Sequence, residues 1–335
     1  MPIERKVAEK HGVTPNAIPF DVQHSSTPLV LKRLVSDWPS VQAAAQGSEI
    51  LLDYLEEFSV NKHVLAFRGS ADSAGRIFYK EDLSGFNFDR ITTTLEALFA
   101  KWRAPSEQEC LYLGSTNVDG YLPGFRASNE IAIADANPLV SIWMGNRTRI
   151  AAHFDTPDNL ACVVMGRRRF TLFPPDQLNN LYVGPIDFTP AGQAISLVDF
   201  ADPDLERFPR FEQAMKAAMV AELEPGDALF IPSMWWHQVE ALDTLNMLVN
   251  YWWNRSRSHV DNPMHALIYT LLAIKELPQE QRAAWQVLFE HYIFEGDSHK
   301  VDHIPVERRG VLGEMDESTV RGLRSMLIKK LQSQV

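Results

Sequence analysis

Residues 159–175 read NLACVVMGRRRFTLFPP. Leu160 to Met165 is a solid apolar run, short enough for a buried strand. Gly166-Arg167 supplies a turn, and Arg169 to Phe173 runs back until Pro174-Pro175-Asp176 stops it. The pattern predicts a β-hairpin. Because strand side chains alternate between faces, Arg168 shares a face with Phe170 and Leu172, which read as inward, while Arg167 and Arg169 project differently.

The β pattern extends outward in both directions, from about Cys110 to Asn254. Leu111-Tyr112-Leu113, Val140 to Met144, Ala228 to Ile231 behind the turn Pro225-Gly226-Asp227, and Leu245 to Trp253 are all strand-like. Short strands cut by Pro, Gly and Asp predict a sandwich or barrel rather than a parallel α/β sheet. The upstream segment is mixed: Pro28 to Val35 reads as a strand, residues 40–58 as a helix with Leu51, Leu52, Leu55 and Phe58 on one stripe, and Thr94 to Trp102 as a short helix. After Asn254 the character becomes helical. Asn262-Pro263 opens a helix carrying Leu267, Ile268, Leu271, Leu272 and Ile274. A second carries Trp285, Leu288, Phe289, Tyr292 and Ile293, and a third from about Asp316 carries Val320, Leu323, Leu327 and Leu331. The expected division is an α/β flank over 1–109, a β core over 110–258 and a helical segment over 259–335.

Two histidines and a carboxylate stand in a chemically loaded pattern. His153-Phe154-Asp155 is followed 84 residues later (237 − 153) by His237, at the end of Pro232-Ser233-Met234-Trp235-Trp236-His237. Two His and one carboxylate form the facial triad that binds non-haem Fe(II) and leaves positions open. In a strand, residues i and i+2 share a face, so His153 and Asp155 could grip one metal from one strand while His237 arrives from another. An isolated His-x-Asp occurs by chance; the surrounding motifs are what lift this one above chance. The other histidines show no ligand spacing.

With 335 residues, 45% of them hydrophobic, the chain can bury a large core. No run approaches the length of a membrane helix, and the N-terminus lacks the apolar stretch of a secretory signal. Two cysteines, Cys110 and Cys162, are too few for a disulfide framework, so a reducing cytoplasm is the expected location. A net charge of −11 argues against non-specific binding to nucleic acid. Against that background the local excess of Arg147, Arg149, Arg167, Arg168 and Arg169 needs its own explanation.

Residues 159–177, residues 225–237 (PGDALFIPSMWWH), the run Asp202 to Pro209 (DPDLERFP) and Leu29 to Pro39 together resemble the Jumonji-C-type, cupin-like 2-oxoglutarate oxygenases. Within that group they resemble the asparaginyl hydroxylases that inhibit hypoxia-inducible factor. The resemblance covers roughly residues 25 to 255. It implies a mainly β fold with flanking helices: a double-stranded β-helix, or jelly roll, of eight antiparallel strands with the metal at its open end. His153, Asp155 and His237 match the family's iron ligands. Tyr112 matches a tyrosine that contacts the 2-oxoglutarate carboxylate, Asn159 and Asn250 match asparagines of the co-substrate pocket, and Trp236 is a further family feature. Two positions depart from the pattern. Arg168 stands where the family has a lysine for the co-substrate, and a guanidinium also binds a carboxylate bidentately. Ile150 replaces a Thr or Ser, which removes one hydrogen bond.

The implied function is Fe(II)- and 2-oxoglutarate-dependent oxygenation with O₂. The expected reaction is hydroxylation of a protein side chain, peptide or small molecule, forming succinate and CO₂. An N-methyl demethylase and a non-enzymatic metal-binding cupin are the alternatives. The broad apolar stripes after residue 260, with the way the resembling hydroxylases dimerise, imply a homodimer through the C-terminal helices built on Leu267, Leu271, Trp285, Leu288 and Tyr292.

Overall fold

The computed structural model describes residues 3–105, 109–133, 137–256, 260–295 and 298–333. The chain divides into two compact units, residues 1–255 and 256–335.

In the first unit, β1 (Ala8–Lys10), β2 (Leu29–Leu31), β3 (His63–Ser70), β4 (Arg76–Ile77), β5 (Phe88–Thr94) and β6 (Glu109–Asn117) come first. They are followed by β7 (Leu139–Gly145), β8 (Arg149–His153), β9 (Asp158–Met165), β10 (Arg168–Phe173), β11 (Met219–Leu223), β12 (Ala228–Ile231), β13 (Trp236–Ala241) and β14 (Asn246–Trp253). Among the described residues these strands form two sheets. The larger runs β1-β2-β12-β9-β14-β7-β6-β3-β5, the smaller β11-β10-β13-β8-β4. From β7 to β14 the chain switches sheet at every step except from β10 to β11, which are neighbours in the smaller sheet, and within each sheet the pairings of these strands are antiparallel. This is the expected double-stranded β-helix. Its eight strands are extended on the larger sheet by β6, β3 and β5 from the N-terminal side.

Two apolar layers hold the unit together. Ala161, Val163, Leu229, Ile231 and Leu248 of the larger sheet meet Phe170, Leu172, Ala221, Leu223 and Val239 of the smaller one, all buried. The opposite face of the larger sheet, with Leu160, Cys162, Val164, Val249 and Tyr251, is covered by helices. Both faces of β9 are therefore dry, which is why residues 160–165 read as continuous rather than alternating apolar sequence. Of the helices α1 (Phe20–Gln23), α2 (Pro39–Gln46), α3 (Ser48–Glu56), α4 (Leu95–Arg103), α5 (Val118–Tyr121) and α6 (Phe211–Ala217), α3 and α4 supply most of that cover. Leu51, Leu52 and Leu55 come from α3, and Leu95, Leu98, Phe99 and Trp102 from α4, whose first turn is capped by Thr94 Oγ1 accepting from the Ala97 N–H.

Three expectations are corrected. Residues 159–175 are not a hairpin: β9 lies between β12 and β14, whereas β10 pairs with β11 and β13 in the other sheet. Gly166, at φ +70°, turns the chain from one sheet to the other, and a Cβ there would lie 2.3 Å from Asn246 Oδ1. A short apolar–turn–apolar pattern fits either geometry, and β14, inserted beside β9, decides it. The strand expected over residues 28–35 stops at Leu31, because Asp227 captures the Lys32 ammonium (2.5 Å) and the Arg33 backbone N–H (2.9 Å), with Arg33 at φ +58°. The helix expected over 40–58 is two helices broken at Gly47, φ +139°.

The second unit is helical: α7 (Pro263–Ile274), α8 (Gln279–Phe289) and α9 (Glu317–Gln332). Asn262 caps α7 and Asp316 caps α9 through side-chain oxygens. After Phe289 the chain widens into a π-helical turn, Glu290–Phe294, so Tyr292 and Ile293 do not continue the α-helical stripe of α8. Among the described residues of α7 to α9, Val320 alone is buried. No helix in the described residues is long and apolar enough to cross a membrane.

Candidate active site

One irregularity aims the side chains of β8. His153 lies opposite His237 on β13, but Ile150 lies opposite Val239, so three steps on β8 match two on β13. This is a β-bulge over Ala151-Ala152. In a regular strand residues 150 and 153 would face opposite ways. Here Ile150 packs toward the interior while His153 reaches His237 from the same side. The strand ends at His153, so Asp155 sits in the connection to β9 rather than within the strand. That connection is stapled to the turn before β13. The Met234 N–H donates to the Asp155 carbonyl (2.9 Å), with Met234 at φ +68°, and the Ser233 N–H donates to Asp158 Oδ1 (3.0 Å). Asp158 is itself clamped by the Arg255 guanidinium.

The ligand-type atoms of His153, Asp155 and His237 all lie within 4.8 Å of one another. His237 Nε2 is 3.7 Å from Asp155 Oδ2, and the two imidazole centroids are 4.4 Å apart. Each ring engages a carbonyl two residues earlier on its own chain, His153 Nδ1 with Ala151 O (2.9 Å) and His237 Nδ1 with Trp235 O (3.0 Å). A carbonyl only accepts, so both Nδ1 atoms carry the proton and both Nε2 atoms keep a lone pair for a metal. Burial drives the His237 pKa well below its ordinary value, with the neighbouring His153 acting in the same direction. His237 is thus neutral at pH 7, as ligation requires. The second Asp155 oxygen, Oδ1, accepts from Gln193 Nε2 at 3.0 Å. Two imidazoles and one carboxylate oxygen converging from one side are a ligand set for a hexacoordinate metal with open positions.

Deeper along the same interior face lies Arg168. It pairs with Ala241 where Leu172 pairs with His237, four residues or about 13 Å along the strand. Arg168 is 2% exposed, beside Phe170 and Leu172 in the sequence alternation, and its Nε has no hydrogen-bond partner. Burial lowers its pKa to about 10, so it remains a cation at neutral pH. No carboxylate pairs with it among the described residues. An unpaired buried charge is costly and calls for an anion. Its charge is felt at Tyr112, a buried side chain on β6 whose hydroxyl is pushed up in pKa by loss of solvent and which also feels Asp155. Asn250 Nδ2 donates to Asn159 Oδ1 (2.8 Å) between neighbouring strands β14 and β9. Three other arginines of the basic cluster are neutralised, Arg149 by Asp199, Arg167 by Asp243, and Arg169 by Glu222 and Glu240, while Arg147 is exposed. The local excess of positive charge resolves into three surface pairs, the exposed Arg147 and one buried guanidinium with no ion-pair partner among the described residues.

The family model for the cupin-like domain matches residues 15–259. The chain belongs to this family. It is a Jumonji-C-type member of the 2-oxoglutarate oxygenases, as its motifs indicate. A lysine-specific demethylase of Arabidopsis thaliana is 39% identical over 145 residues, which is 42% of this chain and 25% of that protein. HSPB1-associated protein 1 of Homo sapiens is 33% identical over 43% of this chain and 30% of its own length. The tRNA wybutosine-synthesizing protein 5 of Danio rerio is 30% identical over 44% of each. The matched region thus spans a quarter to under half of the length of these relatives.

Several site features have no sequence signature. Gln193 follows a glycine in a long connection and carries no motif. The indole N–H groups of Trp143 and Trp252 are buried without partners, their rings edge-to-face at 5.7 Å, with Trp143 also packed near Tyr112 and Ile150. By contrast Trp235 and Trp253 are core residues, the first donating its indole N–H to the Ser26 carbonyl at 3.0 Å and the second stacked toward Phe230. Trp236 packs against Phe154 on the outer side of the two ligand segments.

Proposed function

We propose that this protein is an Fe(II)- and 2-oxoglutarate-dependent hydroxylase acting on a protein side chain, a peptide or a small molecule. One observation carries the reading. Three metal-ligating atoms converge within 4.8 Å at one end of the jelly-roll interior, and an unpaired buried guanidinium lies farther in on the same face. A ligand set and a buried cation on one interior face fit a co-substrate with a carboxylate at each end. His153, Asp155 and His237 would hold the iron, with both histidines pre-set in the ligating tautomer. Arg168, assisted by the Tyr112 hydroxyl, would take the far carboxylate, and the Asn159–Asn250 amide pair would line the space between. Iron and 2-oxoglutarate, when bound, supply the oxidation of substrate by O₂ with release of succinate and CO₂. The apolar walls of Phe170, Leu172 and Val239 keep water from competing at that interior.

The test is incubation of the full chain with Fe(II), 2-oxoglutarate, O₂ and candidate substrates. Succinate formation together with a one-oxygen mass gain supports hydroxylation. Demethylation is the second reading, favoured by relatives named as lysine-specific demethylases in Arabidopsis thaliana and Xenopus tropicalis. Release of formaldehyde would select it. No 2-oxoglutarate turnover under any condition would leave a metal-binding cupin without catalysis. The acidic balance of the chain and the pairing of Arg149, Arg167 and Arg169 with carboxylates support a substrate other than bulk nucleic acid.

The C-terminal helices support a homodimer. Leu267, Leu271, Trp285, Leu288 and Tyr292 are all exposed, and a second copy of the chain would cover them. Residues 259–335 would then be the dimerisation segment beside a catalytic core over 110–258 and its flank over 1–109. Two free, buried cysteines fit a reducing cytoplasm.

A further inference from the structure

Asp155 has two oxygens and the two are treated differently. Oδ2 faces His237 Nε2, while Oδ1 accepts a 3.0 Å hydrogen bond from the side-chain amide of Gln193. A carboxylate oxygen only accepts, so whichever way the amide is drawn, its NH₂ must be the group that meets Oδ1. Gln193 comes from neither ligand strand. It lies in the connection between Val183 and Ser196, which bridge to each other at the base of the loop. The base is pinned to β8 by the Ser196 N–H donating to the Ala152 carbonyl (2.8 Å). The far limb is held by the Tyr79 hydroxyl donating to the Phe188 carbonyl (2.5 Å), by Arg90 donating to the Pro190 carbonyl (2.8 Å), and by Phe188 stacked on Phe86 at 4.8 Å. Gly192, at φ +101°, makes the bend that turns Gln193 to Asp155.

We propose that Gln193 is the positioning residue that holds Asp155 as a one-oxygen metal ligand. By occupying Oδ1 it prevents the carboxylate from rotating to chelate through both oxygens, which would use a coordination position that a co-substrate or O₂ needs. The Tyr79 and Arg90 clamps make this an anchored donor rather than a loose loop contact. The loop that forms the rim beside the metal end thereby reports to the metal. The proposal rests on the reading of His153, Asp155 and His237 as metal ligands.

The test is Co(II) titration of the purified full chain, read by calorimetry and by the visible absorption of the bound ion. Partners that orient a ligand from behind are worth about 10- to 100-fold in metal affinity, and Gln193 is solvent-exposed, so Gln193→Ala should weaken Co(II) about tenfold. Gln193→Met keeps the length and loses the donor, and it should weaken binding to the same degree. Both should alter the visible band as the freed carboxylate changes its mode of ligation, while the metal-free thermal midpoint stays put. Wild-type affinity and an unchanged band in either variant, with binding abolished in His237→Ala, would overturn the role of Gln193 and leave the triad standing. Failure of the wild-type chain to bind Co(II) would overturn the metal site and this inference with it.

Discussion

The jelly-roll unit and the C-terminal helical unit use the same kind of apolar sequence to opposite ends. In the first, Phe230, Leu172, Val249 and Leu52 are wholly removed from solvent between sheets or under helices. In the second, equally apolar stripes stand exposed, with Leu272 at 78% and Phe294 at 69%. At about 25 cal/mol per Å² of apolar surface buried, burial is the dominant favourable contribution to folding, and exposed stripes forgo it. A chain that keeps such stripes in water on one unit and hides them on the other has one self-sufficient core and one surface that needs cover. The same contrast separates function within the core. Among the polar groups of its interior, Asn159 is paired with Asn250, whereas Arg168 Nε and the indole N–H groups of Trp143 and Trp252 have no partner.

The sharpest way to break this contrast is at the metal end. His237→Ala is expected to abolish metal binding and turnover together, because a facial set of three cannot lose one member and hold its geometry. Retained iron affinity, measured by calorimetry under anaerobic conditions, would show that another residue completes the set. Next in size is stability. Phe230→Ala empties a fully buried site and should cost about 3–5 kcal/mol, whereas Leu272→Ala on α7 should stay within about 0.5 kcal/mol for the monomer. Urea midpoints of the two variants measure the contrast directly, and equal losses would mean that the helical stripe is buried in solution. The cover itself is tested by Leu288→Glu. It places a charge in the proposed dimer contact and should yield monomers at micromolar concentration by light scattering, with the helical signal retained. A wild-type monomer in the same measurement removes the dimer altogether. A more modest loss of function is expected at Arg168. Loss of a charge-assisted hydrogen bond is worth about 1.5–3 kcal/mol, so Arg168→Ala should weaken 2-oxoglutarate binding about ten- to a hundredfold. Arg168→Lys should lose less, since it keeps the charge without the bidentate fork. Unchanged 2-oxoglutarate affinity in the Ala variant would end the assignment.

Much of this was legible in the chain as written. The inward parity of Arg168 with Phe170 and Leu172, the turn at Pro225-Gly226-Asp227, and the helix starts near Thr94, Asn262 and Asp316 are local consequences of residue type and period. Local chemistry fixes them because each depends on neighbours a few residues away. The apolar run at 160–165 announced a buried strand for the same reason, without saying which strands would cover it.

What tertiary structure alone decided lies where two distant segments compete for one partner. Whether the chain at Gly166-Arg167 folds back on itself or crosses to the other sheet was settled by β14, about 80 residues downstream, taking the place beside β9. The bulge at Ala151-Ala152 exists because β13 sets the register of β8, and without it Ile150 and His153 would not share the interior. The early end of β2 follows from Asp227, 194 residues away from the Arg33 N–H that it binds. Gln193 reaches Asp155 only because Tyr79, Arg90 and Ala152 hold its loop in place. Sequence determines what is settled by rotamer, period and turn chemistry within a few residues. Register, sheet membership and the second group behind a ligand are settled by closure of long loops, whose cost only the assembled core repays.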